Sequence, residues 1–175
     1  MDILIVVDMQ NDFVTGALGS DDARAIVPRA VRKIQSFSGE IIFTRDTHGD
    51  NYLETLEGKK LPVKHCIAHT KGWELIPEIQ KFCHKEPVDK PAFGSFLLGE
   101  TLRKLNEQER IRTVTLIGLC TDICVISNAV IAKASLPDVE IIVDAACCAG
   151  STKEGHQCAL EAMSRCQICI ENQQL

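Results

Sequence analysis

"TVTLIGLCTDICVISNAVIA", residues 113–132, changes character halfway along. Thr113–Leu119 is a continuous apolar run, the pattern of a strand buried on both faces. Asp122–Ala134 then reads as an apolar helix. Further strand-like runs occupy Ile3–Val7, Glu40–Thr44, Cys83–Val88, Glu140–Val143 and Gln167–Ile170. Between them lie helical patterns at Pro28–Phe37, with proline at the first position, and at Trp73–Phe82 and Ser95–Glu109. Ser151-Thr-Lys-Glu154 reads as a capping box opening a helix to about Arg165. Strands that alternate with helices predict an α/β domain with a mostly parallel sheet covered on both faces.

The bulk composition agrees with one such domain over residues 1–175, with 45% hydrophobic and 25% charged residues. The net charge is −5 and the basic residues are scattered, so neither nucleic acid nor a membrane is an expected partner. No apolar run approaches the roughly 18–20 residues that span a bilayer. No export signal follows Met1, which points to a cytoplasmic protein. Nine cysteines is an odd number, and with no export signal a disulfide framework is not expected. Cys166-Gln-Ile-Cys169 falls in an apparent strand, where its thiols would face opposite ways. Cys66, Cys83, Cys147, Cys148, Cys158, Cys166 and Cys169 are expected to be small buried hydrophobes.

In open α/β sheets ligands bind beyond the carboxyl ends of the strands. The first strand delivers Asp8 there and the second delivers Arg45, Asp46 and His48. The third delivers Lys90, and the fourth delivers Cys124 in the first turn of the next helix. Taken singly, each has an ordinary reading: a turn-capping acid, a solvated lysine, a core cysteine. Together they place an acid, an amine and a thiol on one edge. A thiol at a helix N-terminus beside a lysine should have a lowered pKa. Asp8 could carry its proton to a leaving amine, and the backbone N–H groups of Cys120 and Cys124 could form an oxyanion hole. Lys85 competes with Lys90 but falls inside the expected strand.

The long irregular stretch Asp46–Gly72 holds a second constellation. Asp46 and His48 form D-x-H, and His65 follows in "LPVKHC". Carboxylate and imidazole together suit one divalent transition metal, Zn, Mn or Fe, in an open site. Glu54 and Glu57 are both candidates for a further ligand. His69, His84 and His156 lack such company and read as surface or satisfied core residues.

"VVDMQNDFVTGALGS", "DKPAFGSF" and "GLCTDICV", with "TRDTH…EGKKLPVKHC", resemble the isochorismatase-like cysteine hydrolases, and within them the nicotinamidase branch. The resemblance covers nearly the whole chain. It implies a three-layer α/β sandwich with a six-stranded sheet in the order 3-2-1-4-5-6. It also implies Asp8 as proton carrier, Lys90 as catalytic lysine, Cys124 as nucleophile, and a cis peptide at Leu119–Cys120 that aims the oxyanion-hole amides. Asp46, His48 and His65 become metal ligands, and the distance to His65 favours Glu57 over Glu54. Nicotinamidases usually carry an aromatic residue at the position of Leu61, so the substrate ring would rest on Phe13. Ile123 and Asn128 also depart from the usual residues. The implied activity is hydrolysis of a small carboxamide, nicotinamide to nicotinate and ammonia, by a homo-oligomer. The alternatives are another small amide or carbamoyl substrate, or a non-catalytic small-molecule-binding relative.

Overall fold

The computed structural model describes residues 1–173. Its strands are β1 (Asp2–Val7), β2 (Glu40–Asp46), β3 (Val88–Lys90), β4 (Thr113–Leu119), β5 (Glu140–Ala149) and β6 (Cys169–Glu171). They form one sheet in the order β3-β2-β1-β4-β5-β6, with every neighbouring pair parallel. The helices are α1 (Asn11–Val14), α2 (Asp21–Ser36), α3 (Leu56–Lys60), α4 (Pro77–Gln80), α5 (Phe96–Gln108), α6 (Ile126–Ser135) and α7 (Lys153–Arg165). Among the described residues no helix is long and apolar enough to cross a membrane.

β1 shows why the chain builds three layers. Successive side chains of a strand point to opposite faces. Ile3, Ile5 and Val7 enter a core with Leu98 and Leu102 of α5, Ala129 and Ala132 of α6, and Leu160 and Met163 of α7. Leu4 and Val6 enter the opposite core with Ile26, Ala30 and Ile34 of α2 and Ile79 of α4. Each of these larger side chains contributes roughly 1.5–3 kcal/mol by leaving water. A run without polar interruptions can only be satisfied by helices on both sides.

Several local expectations need correction. α2 begins at Asp21, not at Pro28, because Ser20 Oγ accepts from Ala23 N and caps the helix a full two turns earlier. Pro28 lies inside the helix at an exposed position, where the carbonyl deprived of its partner can be hydrated. Trp73–Phe82 is helical only at Pro77–Gln80, since the residue before a proline avoids the helical region. β3 is Val88–Lys90 and not Cys83–Val88; its ladder pairs Thr44 with Val88 and Asp46 with Lys90. The α7 cap is Thr152, whose Oγ1 accepts from Gly155 N, while Ser151 donates to Asp122 instead. Cys166 caps the end of α7 and Gln167 takes φ 61°, so β6 starts only at Cys169. Cys158, Cys166 and Cys169 are exposed and Cys83 is half-buried, whereas Cys66, Cys147 and Cys148 are buried as expected.

Gly118 lets β4 lie against β1. It pairs with Val7 at φ 118°, and a Cβ there would overlap the Val7 carbonyl oxygen. The carboxyl ends of β1 to β4 are thereby gathered at the switch point between β1 and β4.

Candidate active site

Asp8 leaves β1 with φ 48°, a conformation that costs a non-glycine residue on the order of 1–3 kcal/mol. Thr44 holds it there from β2. Its hydroxyl donates to Asp8 Oδ1 at 2.6 Å and accepts from Asp8 N at 3.3 Å. The other carboxylate oxygen, Oδ2, is paired with Lys90 Nζ at 2.6 Å.

Lys90 is the last residue of β3, not a residue beyond it, and its side chain is fully buried. Its ammonium also lies 3.4 Å from Asp46 Oδ1 and 3.4 Å from Cys124 Sγ, and it donates to Ala92 O at 3.3 Å. A buried ammonium is tolerated only when anions and carbonyls surround it. Burial alone would pull its pKa down, but Asp8, Cys124 and Asp46 outweigh that and push it up, so the charge persists.

Cys124 lies in a π-helical turn, Thr121–Val125, that precedes α6. Such turns recur at functional sites. The Cys120 carbonyl accepts from both Ile123 N and Val125 N, and the Leu119–Cys120 peptide is cis. Asn128 staples the turn to the Lys90 loop: its Nδ2 donates to Cys124 O and Phe93 O, and its Oδ1 accepts from Ser95 N. The thiol does not have the lowered pKa that a helix N-terminus suggested. Burial raises it, the charge of Asp8 raises it further, and Lys90 only partly opposes them. Burial likewise raises Asp8 above the ordinary carboxylate value, with Lys90 opposing. At rest Cys124 is therefore a thiol beside Asp8, not a free thiolate.

Asp46, the last residue of β2, joins this group to a second one. Gln10 fixes its backbone: Gln10 Oε1 accepts from Asp46 N at 2.7 Å, and Gln10 Nε2 donates to Asp46 O and Trp73 O. Asp46 Oδ2 lies 2.9 Å from His48 Nε2 and 3.5 Å from His65 Nε2. Glu57 Oε1, on α3, lies 3.5 Å and 3.7 Å from the same two nitrogens. Ligand atoms of the four residues all fall within 4.8 Å of one another. Burial would raise the Asp46 pKa, but hydrogen bonds to the two histidines and the charge of Lys90 hold it well below the usual range. His65 Nδ1 meets Val63 O at 2.8 Å, which puts the proton on Nδ1 and leaves Nε2 as an inward lone pair. Two imidazoles and two carboxylates fit a divalent transition metal. Glu54 lies at the end of a short 3₁₀ turn, Tyr52–Glu54, exposed and outside this group.

His48 and His65 are brought together by backbone pairing. His48 bridges Ile67 in parallel register, with His48 N donating to Cys66 O and Ala68 N donating to His48 O. The chain between them leaves and returns at one point. Tyr52, fully buried in that excursion, packs on both imidazoles and donates to Leu61 O at 2.9 Å.

Both groups open into one cavity of about 640 Å³. Cys120, Cys124, Asp46, Glu57 and His65 line its polar part, and Phe13, Leu56, Leu61, Phe93 and Ile123 supply apolar wall. Of the residues singled out for catalysis, substrate or metal, Asp8 and Lys90 join this cavity beside Cys124 and His48 joins it beside Asp46 and Glu57, the remaining ones line it directly, and Glu54 alone stays outside. Thr44, Gln10, Tyr52 and the stapling role of Asn128 were missed. Gln10 and Thr44 sit within the quoted motifs "VVDMQNDFVTGALGS" and "TRDTH", and Asn128 within the opening stretch, but no spacing in the sequence marks the roles of any of the four. His156 is half-buried and its Nδ1 meets Thr121 Oγ1 at 2.7 Å, while His69 rests on Trp73.

Comparison with known proteins adds to this geometry. A nicotinamidase from Bacillus subtilis is 30% identical and superposes with a TM-score of 0.80 over 97% of this chain and 98% of its own. A pyrazinamidase from Pyrococcus horikoshii, solved in complex with zinc, is 27% identical, with a TM-score of 0.75 over 97% of each chain. The nicotinamidase/pyrazinamidase of Mycobacterium tuberculosis is 25% identical over 182 residues, covering 96% of this chain and 97% of that protein. The isochorismatase-domain model matches residues 2–174, and the chain belongs to the isochorismatase family.

Proposed function

We propose that the protein hydrolyses a small aromatic carboxamide, nicotinamide first, to the carboxylate and ammonia through a thioester on Cys124. The observation that carries this reading is Lys90 Nζ, buried and within 3.4 Å of Asp8, Cys124 and Asp46 at once. The relatives named nicotinamidase and pyrazinamidase support the choice of amide.

In this mechanism Asp8 Oδ2 takes the Cys124 proton as Sγ attacks the amide carbon. Lys90 keeps Asp8 ionised until then and balances the charge that moves between the two. The amides of Cys120 and Cys124 receive the developing oxyanion. Collapse breaks the C–N bond, and the proton held on Asp8 leaves with ammonia. Water then attacks the thioester, giving its proton to Asp8, and the returning thiol completes the cycle. A divalent metal held by Asp46, His48, Glu57 and His65 would supply a Lewis-acid anchor for the pyridine nitrogen. Phe13, 5.6 Å from the His65 ring, offers a face for the substrate ring.

The test is ammonia release from nicotinamide and benzamide by protein purified without chelator, with elemental analysis. The expected result is bound metal, turnover of nicotinamide, much slower turnover of benzamide and none in Cys124→Ala. Metal-free protein that hydrolyses both amides equally would favour a metal-independent amidase. No turnover of any small amide would overturn the catalytic reading.

A further inference from the structure

The cavity is far larger than the substrate just proposed. Nicotinamide has nine non-hydrogen atoms, whereas about 640 Å³ lies well within the roughly 300–1,000 Å³ of pockets that enclose drug-sized ligands. The surplus space has a direction. Cys124 and the metal-ligand group lie at the buried end, tied together through Lys90 and Asp46. Leu56, Leu61 and Phe93 stand at the other end, 73%, 40% and 44% exposed. A pyridine-3-carboxamide with its carbonyl at Cys124 and its nitrogen toward the histidines must point C2 inward, because C2 lies between those two groups on the ring. C5 lies directly opposite C2, so it points at the exposed apolar wall. C4 and C6 are next to the carboxamide-bearing carbon and the nitrogen, so they point sideways and not at that wall.

We infer that the site takes pyridine-3-carboxamides carrying an apolar substituent at C5, seated against Leu56, Leu61 and Phe93. The inference rests on the pose proposed above. The three side chains leave water when the substituent arrives. Unsubstituted nicotinamide leaves this wall wet and so forgoes that binding.

The experiment compares nicotinamide, 5-propylnicotinamide and 6-propylnicotinamide as substrates of the metal-containing protein. Binding of the same three to Cys124→Ala is measured by calorimetry. A buried methylene is worth roughly fourfold in affinity, so a partly buried propyl group should lower KM and Kd by about tenfold or more, with kcat little changed. The 6-propyl isomer should bind at least about tenfold more weakly than the 5-propyl isomer. Leu61→Trp, which fills the wall from an exposed position, should cut the 5-propyl to nicotinamide ratio in kcat/KM by about tenfold. Turnover of nicotinamide with weaker binding of the 5-propyl amide, or equal binding of the two isomers, would overturn this inference alone. Failure to hydrolyse nicotinamide or either derivative would instead overturn the carboxamide hydrolase reading on which it rests.

Discussion

Lys90→Met tests the buried ion cluster, because methionine keeps most of the side-chain volume and removes only the charge. Without the ammonium, Asp8 and Asp46 are two buried carboxylates with no cation between them. Two unit charges at the observed 2.6 Å and 3.4 Å would interact by roughly 5–6 kcal/mol each at an effective dielectric of about 20, so the raw electrostatic loss is large. A simpler limit applies. Asp8 can escape the penalty by taking up a proton. From an ordinary value of about 3.9, protonation at pH 7 costs about 4.2 kcal/mol, at 1.36 kcal/mol per pH unit. At pH 5 the same step costs only about 1.5 kcal/mol. The sign follows from linkage. In the variant the folded Asp8 has a pKa far above its unfolded value, so the folded state binds the extra proton and gains stability relative to the wild type as pH falls toward 4. The stability lost on substitution should therefore be about 3–4 kcal/mol at pH 7 and shrink by at most about 2.7 kcal/mol at pH 5, and by less to the extent that burial already raises Asp8 in the wild type. Urea unfolding of both proteins at the two pH values measures it, with amide hydrolysis expected to fall on the order of 10²–10⁴-fold. A gap that stays constant or widens on acidification would show that Lys90 does not serve to keep Asp8 ionised.

Asp8→Asn should leave the fold intact and slow alkylation of Cys124 by iodoacetamide more than about tenfold, because the thiol loses its proton acceptor. Exposed Cys158 should label at an unchanged rate, and peptide mass mapping that finds Cys124 equally fast in the variant would remove Asp8 as the base. Gly118→Ala should destabilise the protein by about 3 kcal/mol or more, or prevent folding, since the new Cβ meets the Val7 carbonyl at a φ that L-residues avoid; a melting temperature within a few degrees of wild type would contradict this. Burial lowers the His156 pKa, with Asp122 and Asp22 opposing, so the folded state favours neutral imidazole. That stabilisation is present above the ordinary histidine value of about 6.5 and is lost as pH falls through it toward the folded pKa. His156→Asn should lose less stability than wild type between pH 7.5 and 5.5, and equal losses would exclude a contribution from His156.

The fold was legible because its signal is repeated: each apolar run is a strand, and strands buried on both faces force the layers. Boundaries were legible only where one local preference acted alone. At Pro28 a proline competes with the Ser20 cap, and the cap sets the start. At Lys90 the ladder with Thr44 and Asp46 extends a strand that the sequence places earlier. The site residues could be gathered because they leave successive strands on one edge. The thiol pKa was misjudged for a different reason. A helix end can be read from sequence, but complete burial beside Asp8 is a tertiary fact and decides the direction. Gln10 and Thr44 were invisible for the same reason, since each acts on a residue from a neighbouring strand.

The bridge between His48 and Ile67 bears on how this molecule could be rebuilt. The excursion between His48 and His65 carries Leu56, Glu57, Lys60 and Leu61 on the cavity wall, yet its two ends are stapled side by side. Asp46 is pinned independently by Gln10 and by its ladder partner Lys90. Once the ends of a loop are fixed, doubling its length adds only about 0.6 kcal/mol of closure entropy. With Tyr52 and Glu57 kept, the rest of the segment is therefore a replaceable cassette: exchanging it can reshape the cavity wall while Asp8, Lys90, Cys124 and both histidines stay on the scaffold that positions them.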